Sequence, residues 1–449
     1  MTKNKEDKEQ VVSKVKGWID SKFVESAIVD KEPAFVVTDT ESGKIYHECE
    51  IKYDGKTFRP LEKHGYGYRP YIFTSEEIER LNASVISSEE IAGDVLRMVQ
   101  WYVAAPEREQ LLITGEILLT YCQEWISTVH FPFFVGETES GKSTVLQLGG
   151  RLAYRCVVSE DWPHADIYNF LGTAEEGTGT ICEDEAQEMA KDKEKIRTYK
   201  NSYSKGSVKP RVIMTNAGKY QVFYRTFCCK WFAGESVPHD KGFLERLVIV
   251  YMLGGRPRSN LKSATPKEKH FLNQLRNKIL IWKMQNIGKE FKRIDSGLSG
   301  RDQELWQDFL SLFHGTKFEV QSKDVTAYYL KQRGESIKDS LEAKIFRILK
   351  PLLDESMEIE SNVIWSKVTN SSDELPGKLD ERTEKTFYLD EDDRKLTPNI
   401  VIDIVRFKFQ AKKKIRYEKD GKKRKKITSY IFDEEIVKIL SEKYHIDPL

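Results

Sequence analysis

The chain has 449 residues, which is enough for two or three domains and a large hydrophobic core. It contains 39% hydrophobic and 32% charged residues and has a formal net charge of +1, so any contact with nucleic acid must come from local basic patches. No run approaches about 18 apolar residues and the first residues include no apolar leader, which argues against a membrane span or a signal peptide.

The six cysteines are scattered along the chain. They form no C-x-x-C pair, and no histidine is placed to complete a zinc site. This pattern predicts reduced thiols in the core of a cytoplasmic protein. The cysteines are Cys49, Cys122, Cys156, Cys182, Cys228 and Cys229.

Residues 1–105 are predicted to form a small N-terminal β-rich domain with helices. A charged tail leads into a predicted short helix from Val11 to Ile19. Strand-like segments follow between residues 34 and 73, where Asp54-Gly55 is a typical hairpin turn. Residues 75–105 then place apolar side chains at helical spacing.

A phosphate-binding loop is predicted at residues 136–144. The apolar run Phe131–Val135 suits a buried strand, and a G-x4-G-K-S loop and a helical pattern follow it. In this context backbone N–H groups turn onto phosphate oxygens, Lys142 reaches the β- and γ-phosphates of ATP, and Ser143 holds Mg2+. The predicted nucleotide-binding residues are Gly136, Glu137, Thr138, Glu139, Ser140, Gly141, Lys142, Ser143 and Thr144.

An acidic pair follows about forty residues after this loop. The strand-like segment from Gly179 ends in Asp184-Glu185. A parallel α/β sheet would bring this strand end beside the phosphate loop. There Asp184 would serve the Mg2+ shell, and Glu185 would orient or deprotonate the attacking water. The alternative is an ordinary acidic helix N-terminus.

Two later polar residues are further candidates. The apolar segment from Arg211 is predicted to be a strand that ends at Asn216, whose amide could bind the γ-phosphate or the attacking water, although Asn216-Ala-Gly could also be a bare turn. Arg246 begins another strand and is either a surface charge or a finger offered to the ATP of a neighbouring subunit.

The chain changes character beyond Lys317. Thr397-Pro398 opens a predicted helix, and two basic β-like arms around Asp420-Gly421 follow it. Residues 401–430 contain twelve Lys or Arg against three acids, a local net charge of +9 (12 minus 3). Helices, a recognition-like helix and a basic hairpin in this order predict a winged helix. Its predicted DNA contacts are Lys412, Lys413, Lys414, Arg416, Lys422, Lys423, Arg424, Lys425 and Lys426.

Together these segments resemble a known family. G-E-T-E-S-G-K-S, I-C-E-D-E-A, M-T-N-A and F-L-E-R-L-V-I-V resemble the Walker A, Walker B, sensor 1 and arginine-finger order of AAA+ ATPases. The resemblance is strongest to MCM-like replicative helicases and related ATPases of archaeal viruses, plasmids and other mobile elements. It implies a parallel sheet with flanking helices and four regions: 1–105, the ATPase core at 106–260, a helical lid at 261–335 and the winged helix at 336–449.

The resemblance also implies further site residues. MCM-type modules have a Lys-tipped hairpin just before sensor 1, and Lys205 beside Gly206 lies in that interval. A sensor 2 arginine opens a helix after the core, which points to Arg301 or, alternatively, Arg276.

These features predict a hexameric, ATP- and Mg2+-dependent DNA helicase or translocase. Single-stranded or forked DNA would occupy a central pore, and the winged helix would bind duplex. Two alternatives are an ATP-switched origin-binding initiator or loader without processive unwinding, and a DNA-binding regulator with a decayed ATPase, against which Lys142, Asp184 and Glu185 argue.

Overall fold

The computed structural model divides the chain into two compact units, Met1–Tyr329 and Leu330–Leu449. The described residues are 10–62, 67–172, 177–215, 218–238, 240–338, 340–371, 374–375, 378–380, 385–387, 396–420, 423–444 and 446.

Two small sheets form the N-terminal part of the first unit. The strands are β1 (Gln10–Ser13), β2 (Lys16–Ile19), β3 (Lys22–Val29), β4 (Glu32–Asp39), β5 (Lys44–Glu48), β6 (Ile51–Tyr53), β7 (Lys56–Arg59) and β8 (Ile72–Phe73). One sheet has the order β2-β3-β4-β5 with β8 beside β3, and the other has the order β1-β7-β6. Apolar side chains such as Val24, Phe35 and Ile51 form a core here.

The predicted helix from Val11 to Ile19 is wrong, because this segment forms β1 and β2. Gly17 within it has φ of 109°, which a helix does not accept. The predicted Asp54-Gly55 turn is confirmed: it joins β6 to β7 with φ of 48° and 69°, the left-handed values that a two-residue hairpin loop requires.

Three helices connect this domain to the larger sheet. They are α1 (Ser75–Asn82), α2 (Ser88–Tyr102) and α3 (Glu107–Tyr121). Thr74 and Ser87 cap the first two helices, each accepting a hydrogen bond from a backbone N–H three residues later. Helix α3 is buried nearly all round, so it lies inside the first unit.

The middle of the first unit is an α/β sheet. Its segments are β9 (Phe131–Val135), α4 (Lys142–Leu152), β10 (Cys156–Ser159), α5 (His164–Leu171), β11 (Thr180–Glu183), a 3-10 helix (Ala186–Lys191), α6 (Lys193–Asn201), β12 (Val208–Thr215), β13 (Gly218–Arg225), β14 (Cys229–Gly234), α7 (Lys241–Leu244) and β15 (Leu247–Tyr251). Five of the strands are parallel in the order β10-β11-β14-β9-β15. The carboxyl ends of β9, β11 and β14 therefore meet at one edge.

Strands β12 and β13 form a separate antiparallel hairpin. The expected core strand from Arg211 to Asn216 is wrong in its placement, because β12 pairs only with β13 among the described strands. Val212 and Met214 are 64% and 68% exposed, so the apolar run does not mark a buried strand. Asn216 itself lies outside the described residues.

Three long helices complete the first unit and lead into the second. They are α8 (Pro266–Asn286), α9 (Gly300–Phe313) and α10 (Glu319–Lys338). Thr265 and Glu268 form a reciprocal capping box at the start of α8. The expected helical region after the core is thus present.

A buried ionic cluster joins the N-terminal sheets to the body of the first unit. The Lys283 ammonium on α8 contacts Glu25 at 2.7 Å and Glu124 at 3.1 Å, and Lys16 contacts Glu124 at 2.7 Å. Arg155 pairs with Glu25 as well. These charges lie almost entirely out of water. Removing one partner would leave another charge buried without a counter-ion and would destabilise the junction.

The second unit has its own core. Beyond α10 it contains α11 (Leu341–Glu355), β16 (Glu358–Glu360), α12 (Ser361–Asn370), β17 (Lys378–Asp380), β18 (Lys385–Phe387), α13 (Pro398–Asp403), a π-helix (Ile404–Lys408), β19 (Lys412–Asp420), β20 (Lys423–Ile431) and α14 (Glu434–Tyr444). The strand order β16-β20-β19 is antiparallel. Phe346, Val401 and Phe409 are among its buried side chains.

All six cysteines carry free thiols, and five of them are buried. Within the described parts of the chain, no helix has the length and apolar character needed to cross a bilayer.

Candidate functional site

The glycine-bounded loop leaves the carboxyl end of β9 and enters α4 at Lys142. At Gly136 an added Cβ would lie 2.6 Å from the Met252 carbonyl oxygen, so only glycine fits the turn. Gly141 has φ of 91°, in the left-handed region that glycine adopts without strain. Both glycines are therefore required by the path of the backbone.

Donor groups line this loop. The Ser140 hydroxyl is buried and finds no hydrogen-bond partner among the described residues. Lys142 is only 7% exposed, and its ammonium donates to the Glu137 carbonyl oxygen at 3.1 Å. Ser143 and Thr144 lie half-buried in the first turn of α4, at the positive end of the helix dipole. The unpaired hydroxyl, the ammonium and the helix N-terminus together suit a bound phosphate chain.

The acidic pair follows β11 at the same edge of the sheet. The Asp184 carboxylate accepts from the Glu185 N–H at 3.1 Å, and the Asp184 N–H donates to the Ser159 carbonyl. Glu185 is exposed and has φ of 53°, a strained value for a residue with a Cβ. Its carboxylate accepts a 2.5 Å hydrogen bond from the Gln187 side chain.

Two residues that the sequence analysis did not select connect this pair to the phosphate loop. Strand β14 lies between β11 and β9, and Glu235 follows directly at its end. The Glu235 N–H donates to the Gln187 side-chain oxygen at 3.2 Å, and the Thr138 hydroxyl donates to the Glu235 carboxylate at 3.4 Å. The Gln187 amide thus bridges Glu185 and Glu235. The segment Cys229–Gly234 (CKWFAG) has the composition of a buried strand. The position of Glu235 directly after this strand was the signal that the sequence offered.

A cavity of about 350 Å³ opens at this place, lined by Gly136, Glu137, Thr138 and Glu235. The end of β14 therefore occupies the position beside the phosphate loop that was expected for Asn216. Strand β12 is not part of this sheet, and Asn216 lies outside the described residues, so its role stays a prediction.

Arg246 lies at the opposite edge of the parallel sheet. The Arg246 carbonyl accepts from the N–H of Phe131, the first residue of β9. The phosphate loop follows Val135, the last residue of β9. The five residues of β9 span roughly 16 Å at about 3.3 Å per residue. This separation keeps the Arg246 guanidinium away from the phosphate loop of its own subunit.

Arg301 lies beside Arg246. Both guanidinium groups contact the ring of Tyr203, at 4.5 Å from its centre for Arg246 and 4.8 Å for Arg301. Burial and the neighbouring Arg301 charge lower the pKa of Arg246, which nevertheless stays protonated because arginine does not titrate in proteins. Arg301 also pairs with Glu304 at 2.8 Å, and the Arg246 guanidinium donates to the Gly242 carbonyl.

Arg276 has a different environment. It is 3% exposed, donates to the backbone carbonyls of Arg69 and Pro70, and lies 3.9 Å from the centre of the Tyr71 ring. These contacts hold α8 against the N-terminal domain, which leaves Arg301 as the candidate for a sensor role.

Lys205 does not lie on the β12–β13 hairpin. It follows α6 in a turn, and its ammonium donates to the Glu124 carbonyl at 2.8 Å and lies 5.8 Å from the Phe227 ring. The expectation of a Lys-tipped hairpin at this position is wrong, because the hairpin is formed by β12 and β13 further along the chain.

The β19–β20 hairpin of the second unit carries the other predicted DNA contacts. Lys414 pairs with Glu358 at 2.8 Å and Arg416 with Glu360 at 2.7 Å, so carboxylates of β16 neutralise two of them. Lys422 and the side chain of Lys423 lie outside the described residues. The other predicted contacts are exposed and form no ion pair with a described residue. They are Lys412, Lys413, Arg424, Lys425 and Lys426.

The comparisons with known proteins give a distant likeness. No protein-family model and no curated protein matches the chain. Among solved structures it is similar to the apo A form of the NrS-1 C-terminal region, with 10% identity and a TM-score of 0.36 over 91% of this chain and 97% of that one. For a full-length MCM homologue from Methanopyrus kandleri the identity is 9%, the TM-score is 0.33, and 69% of this chain and 76% of that one are covered.

Proposed function

We propose that this protein is an ATP-dependent DNA translocase that unwinds DNA, of the MCM-like AAA+ type that its motifs resemble. The observation that carries the proposal is the meeting of the phosphate loop, Asp184-Glu185 and Glu235 at one edge of a parallel sheet. A nucleotide with its γ-phosphate between these strand ends would have donors on one side and carboxylates on the other.

The residues at this edge suit distinct tasks. Lys142 would exchange the Glu137 carbonyl for a phosphate oxygen, and the Ser140 hydroxyl would gain the partner that it lacks. Glu185, oriented by Gln187, would accept a proton from the attacking water. Glu235 would keep Gln187 in place.

The Ser143 hydroxyl and Asp184 would hold Mg2+, which neutralises phosphate charge when it is bound. No group of three or more His, Cys, Asp or Glu side chains that could hold a metal ion occurs in the described part of the chain. A site of one carboxylate and one hydroxyl, completed by phosphate oxygens and water, matches the preference of Mg2+.

The separation of Arg246 from the phosphate loop supports a site shared between subunits. Arg246, with Arg301 beside it, would complete the nucleotide site of the next subunit in a head-to-tail ring, which we expect to be a hexamer. Each subunit would then need its neighbour for hydrolysis.

Two surfaces would contact DNA. The β12–β13 hairpin combines exposed Tyr220 and Phe223 with the exposed, basic Lys219, a combination that suits stacking on bases and attraction to the backbone of single-stranded DNA. In the second unit, the helices α11, α12 and α13 with a three-stranded sheet support a winged helix whose β19–β20 hairpin would bind duplex phosphates.

Unwinding of a forked duplex tests the proposal. Wild-type protein should unwind the fork with ATP and form rings under the electron microscope. Lys142→Ala should lose nucleotide binding, and Glu185→Gln should bind ATP but hydrolyse it about 100-fold more slowly without unwinding. ATP-dependent duplex binding without strand separation by the wild type would instead favour an origin-binding initiator, and undiminished hydrolysis by Glu185→Gln would remove Glu185 from the site.

A further inference from the structure

Glu183, the last residue of β11, is a buried third carboxylate next to the acidic pair. It is 2% exposed at the end of an otherwise apolar strand. Its carboxylate pairs with the Lys195 ammonium and accepts a 2.9 Å hydrogen bond from the Tyr199 hydroxyl. Burial raises the pKa of Glu183, and the Lys195 charge opposes that shift. Both partners lie on α6, one helical turn apart, so one face of α6 is fixed to the strand that ends in Asp184-Glu185.

Another face of α6 contacts the β12–β13 hairpin through a chain of hydrogen bonds. The Arg211 guanidinium approaches His164 Nδ1 at 3.2 Å, and His164 Nε2 lies 2.6 Å from the Tyr168 hydroxyl. The Thr198 hydroxyl lies 3.0 Å from the Tyr168 hydroxyl and 2.9 Å from His164 Nε2, and it donates to the Glu194 carbonyl at 2.9 Å. Arg211 on β12 is thereby linked to Thr198 on α6.

The donors in this chain point in one direction. Arginine only donates, so His164 Nδ1 must accept and the ring must carry its proton on Nε2. The His164 Nε2–H then faces the hydroxyl oxygens of both Tyr168 and Thr198, and the Thr198 hydroxyl donates to the Glu194 carbonyl. Burial and the Arg211 charge lower the pKa of His164, which favours this neutral ring.

A second link joins the same elements. Lys209 on β12 contacts the Glu194 carboxylate at 3.1 Å, and the Tyr224 ring on β13 lies 5.5 Å from that of Tyr168. Both strands of the hairpin are therefore held at their base, one against α6 and the other against α5. A shift of α6 would reach the hairpin through these contacts.

We propose that α6 couples the acidic pair to the β12–β13 hairpin, with Glu183 and Lys195 as positioning residues on the strand side and Thr198 and His164 as positioning residues on the hairpin side. This proposal rests on the proposed function and adds its internal linkage. A change at the Asp184-Glu185 strand end on hydrolysis is passed to α6 by the buried Glu183–Lys195 pair. DNA held by the hairpin acts on the nucleotide site by the same route, because coupling between two sites is reciprocal.

The test uses Thr198, which lies on neither the nucleotide site nor the hairpin. Thr198→Val keeps the shape of the side chain and removes the hydroxyl, and Thr198→Ser keeps the hydroxyl as a matched control. At saturating single-stranded DNA, stimulation of the ATPase should fall about five-fold or more in Thr198→Val. Basal ATPase and DNA affinity should stay at the wild-type level, and Thr198→Ser should retain stimulation.

A second single variant and a double-mutant cycle test whether the loss of stimulation arises from this chain of hydrogen bonds. His164→Phe interrupts the chain at another member and should reproduce the loss. If Arg211→Gln and Thr198→Val act through one chain, the double variant should lose no more stimulation than the worse single variant. Normal stimulation in both Thr198→Val and His164→Phe would overturn the proposal. A wild-type protein without ATPase activity would instead refute the proposed function.

Discussion

His130 presents both ring nitrogens to acceptors just before β9. Nε2 lies 2.5 Å from the Glu116 carboxylate and Nδ1 lies 2.8 Å from the Leu305 carbonyl oxygen. A neutral ring carries one N–H, so both contacts are satisfied only by the imidazolium. Burial alone would lower the pKa of His130, but the Glu116 charge and the two hydrogen bonds raise it above the ordinary value.

This contact makes the stability of the first unit depend on pH. Because the pKa is raised by folding, the stabilisation is fully present below the unfolded pKa of about 6.5 and is lost as pH rises through the folded pKa. Each unit between the two pKa values contributes about 1.4 kcal/mol. Urea unfolding between pH 6 and pH 9 measures the effect.

Glu116→Gln is the matched variant, since a neutral His130 can accept from the glutamine amide and still donate to Leu305. The free-energy advantage of wild type over Glu116→Gln should shrink as pH rises. An advantage that stays constant over this range would show that His130 is neutral in the folded protein.

The sequence indicated those residues of the proposed nucleotide site whose types are specific to their chemistry. The G-x4-G-K-S loop and Asp184-Glu185 were identified because glycine spacing and paired carboxylates are visible in one dimension. Gln187 and Glu235 were missed because their role depends on β14 lying between β11 and β9, which is a tertiary fact. The same holds for Glu183, which reads as one more acid until the structure shows it buried against Lys195.

At the scale of elements, the β12–β13 hairpin carries the next prediction. Tyr220 and Phe223 are 50% and 52% exposed, and stacking on bases is worth about 1–3 kcal/mol for each aromatic ring. Tyr220→Ala and Phe223→Ala should each weaken binding of single-stranded DNA and reduce unwinding, while basal ATPase is kept. Fluorescence anisotropy and a fork assay measure the two effects.

Lys205→Ala discriminates between the hairpin and the segment first selected from the sequence. Lys205 points to a backbone carbonyl of the body, so its replacement should leave unwinding intact. Loss of unwinding in Lys205→Ala together with normal unwinding in Tyr220→Ala would show that Lys205, and not the β12–β13 hairpin, contacts the DNA.

The β19–β20 hairpin allows a comparison of paired and unpaired charges. Replacing Arg424 and Lys426 with Ala should lower the magnitude of the slope of log affinity against log salt by up to about 1.8, near 0.9 for each phosphate contact. Replacing Lys414 and Arg416, which are paired with carboxylates, should lower it much less. Equal slopes for both double variants and the wild type would mean that this hairpin does not bind duplex DNA.

Elements were predictable where local signals agreed with the fold. Asp54-Gly55 and Thr397-Pro398 behave as a turn and a helix start because their backbone preferences are intrinsic. The segment from Val11 to Ile19 became strands because pairing with neighbouring strands outweighs a weak helical pattern. The apolar run Val212–Thr215 looked like core, yet Val212 and Met214 are exposed on a hairpin that lies outside the parallel sheet.

At the scale of the whole molecule, the sheet separates two groups of residues that the proposed function assigns to one nucleotide site. Lys142, Asp184 and Glu185 lie at the carboxyl edge, and Arg246 and Arg301 lie at the opposite edge around Tyr203. Under the proposed function, neither half hydrolyses ATP by itself, because the positive charge that stabilises the transferred phosphoryl group comes from another copy of the chain.

Mixing two inactive proteins tests this claim most directly. Lys142→Ala should bind no nucleotide, and Arg246→Ala should bind ATP but hydrolyse it poorly. In an equal mixture, interfaces that join an intact phosphate loop to an intact Arg246 form again, so ATP turnover should recover to roughly a quarter of the wild-type rate. Full activity of Arg246→Ala alone, or a mixture no more active than its components, would contradict a nucleotide site shared between subunits.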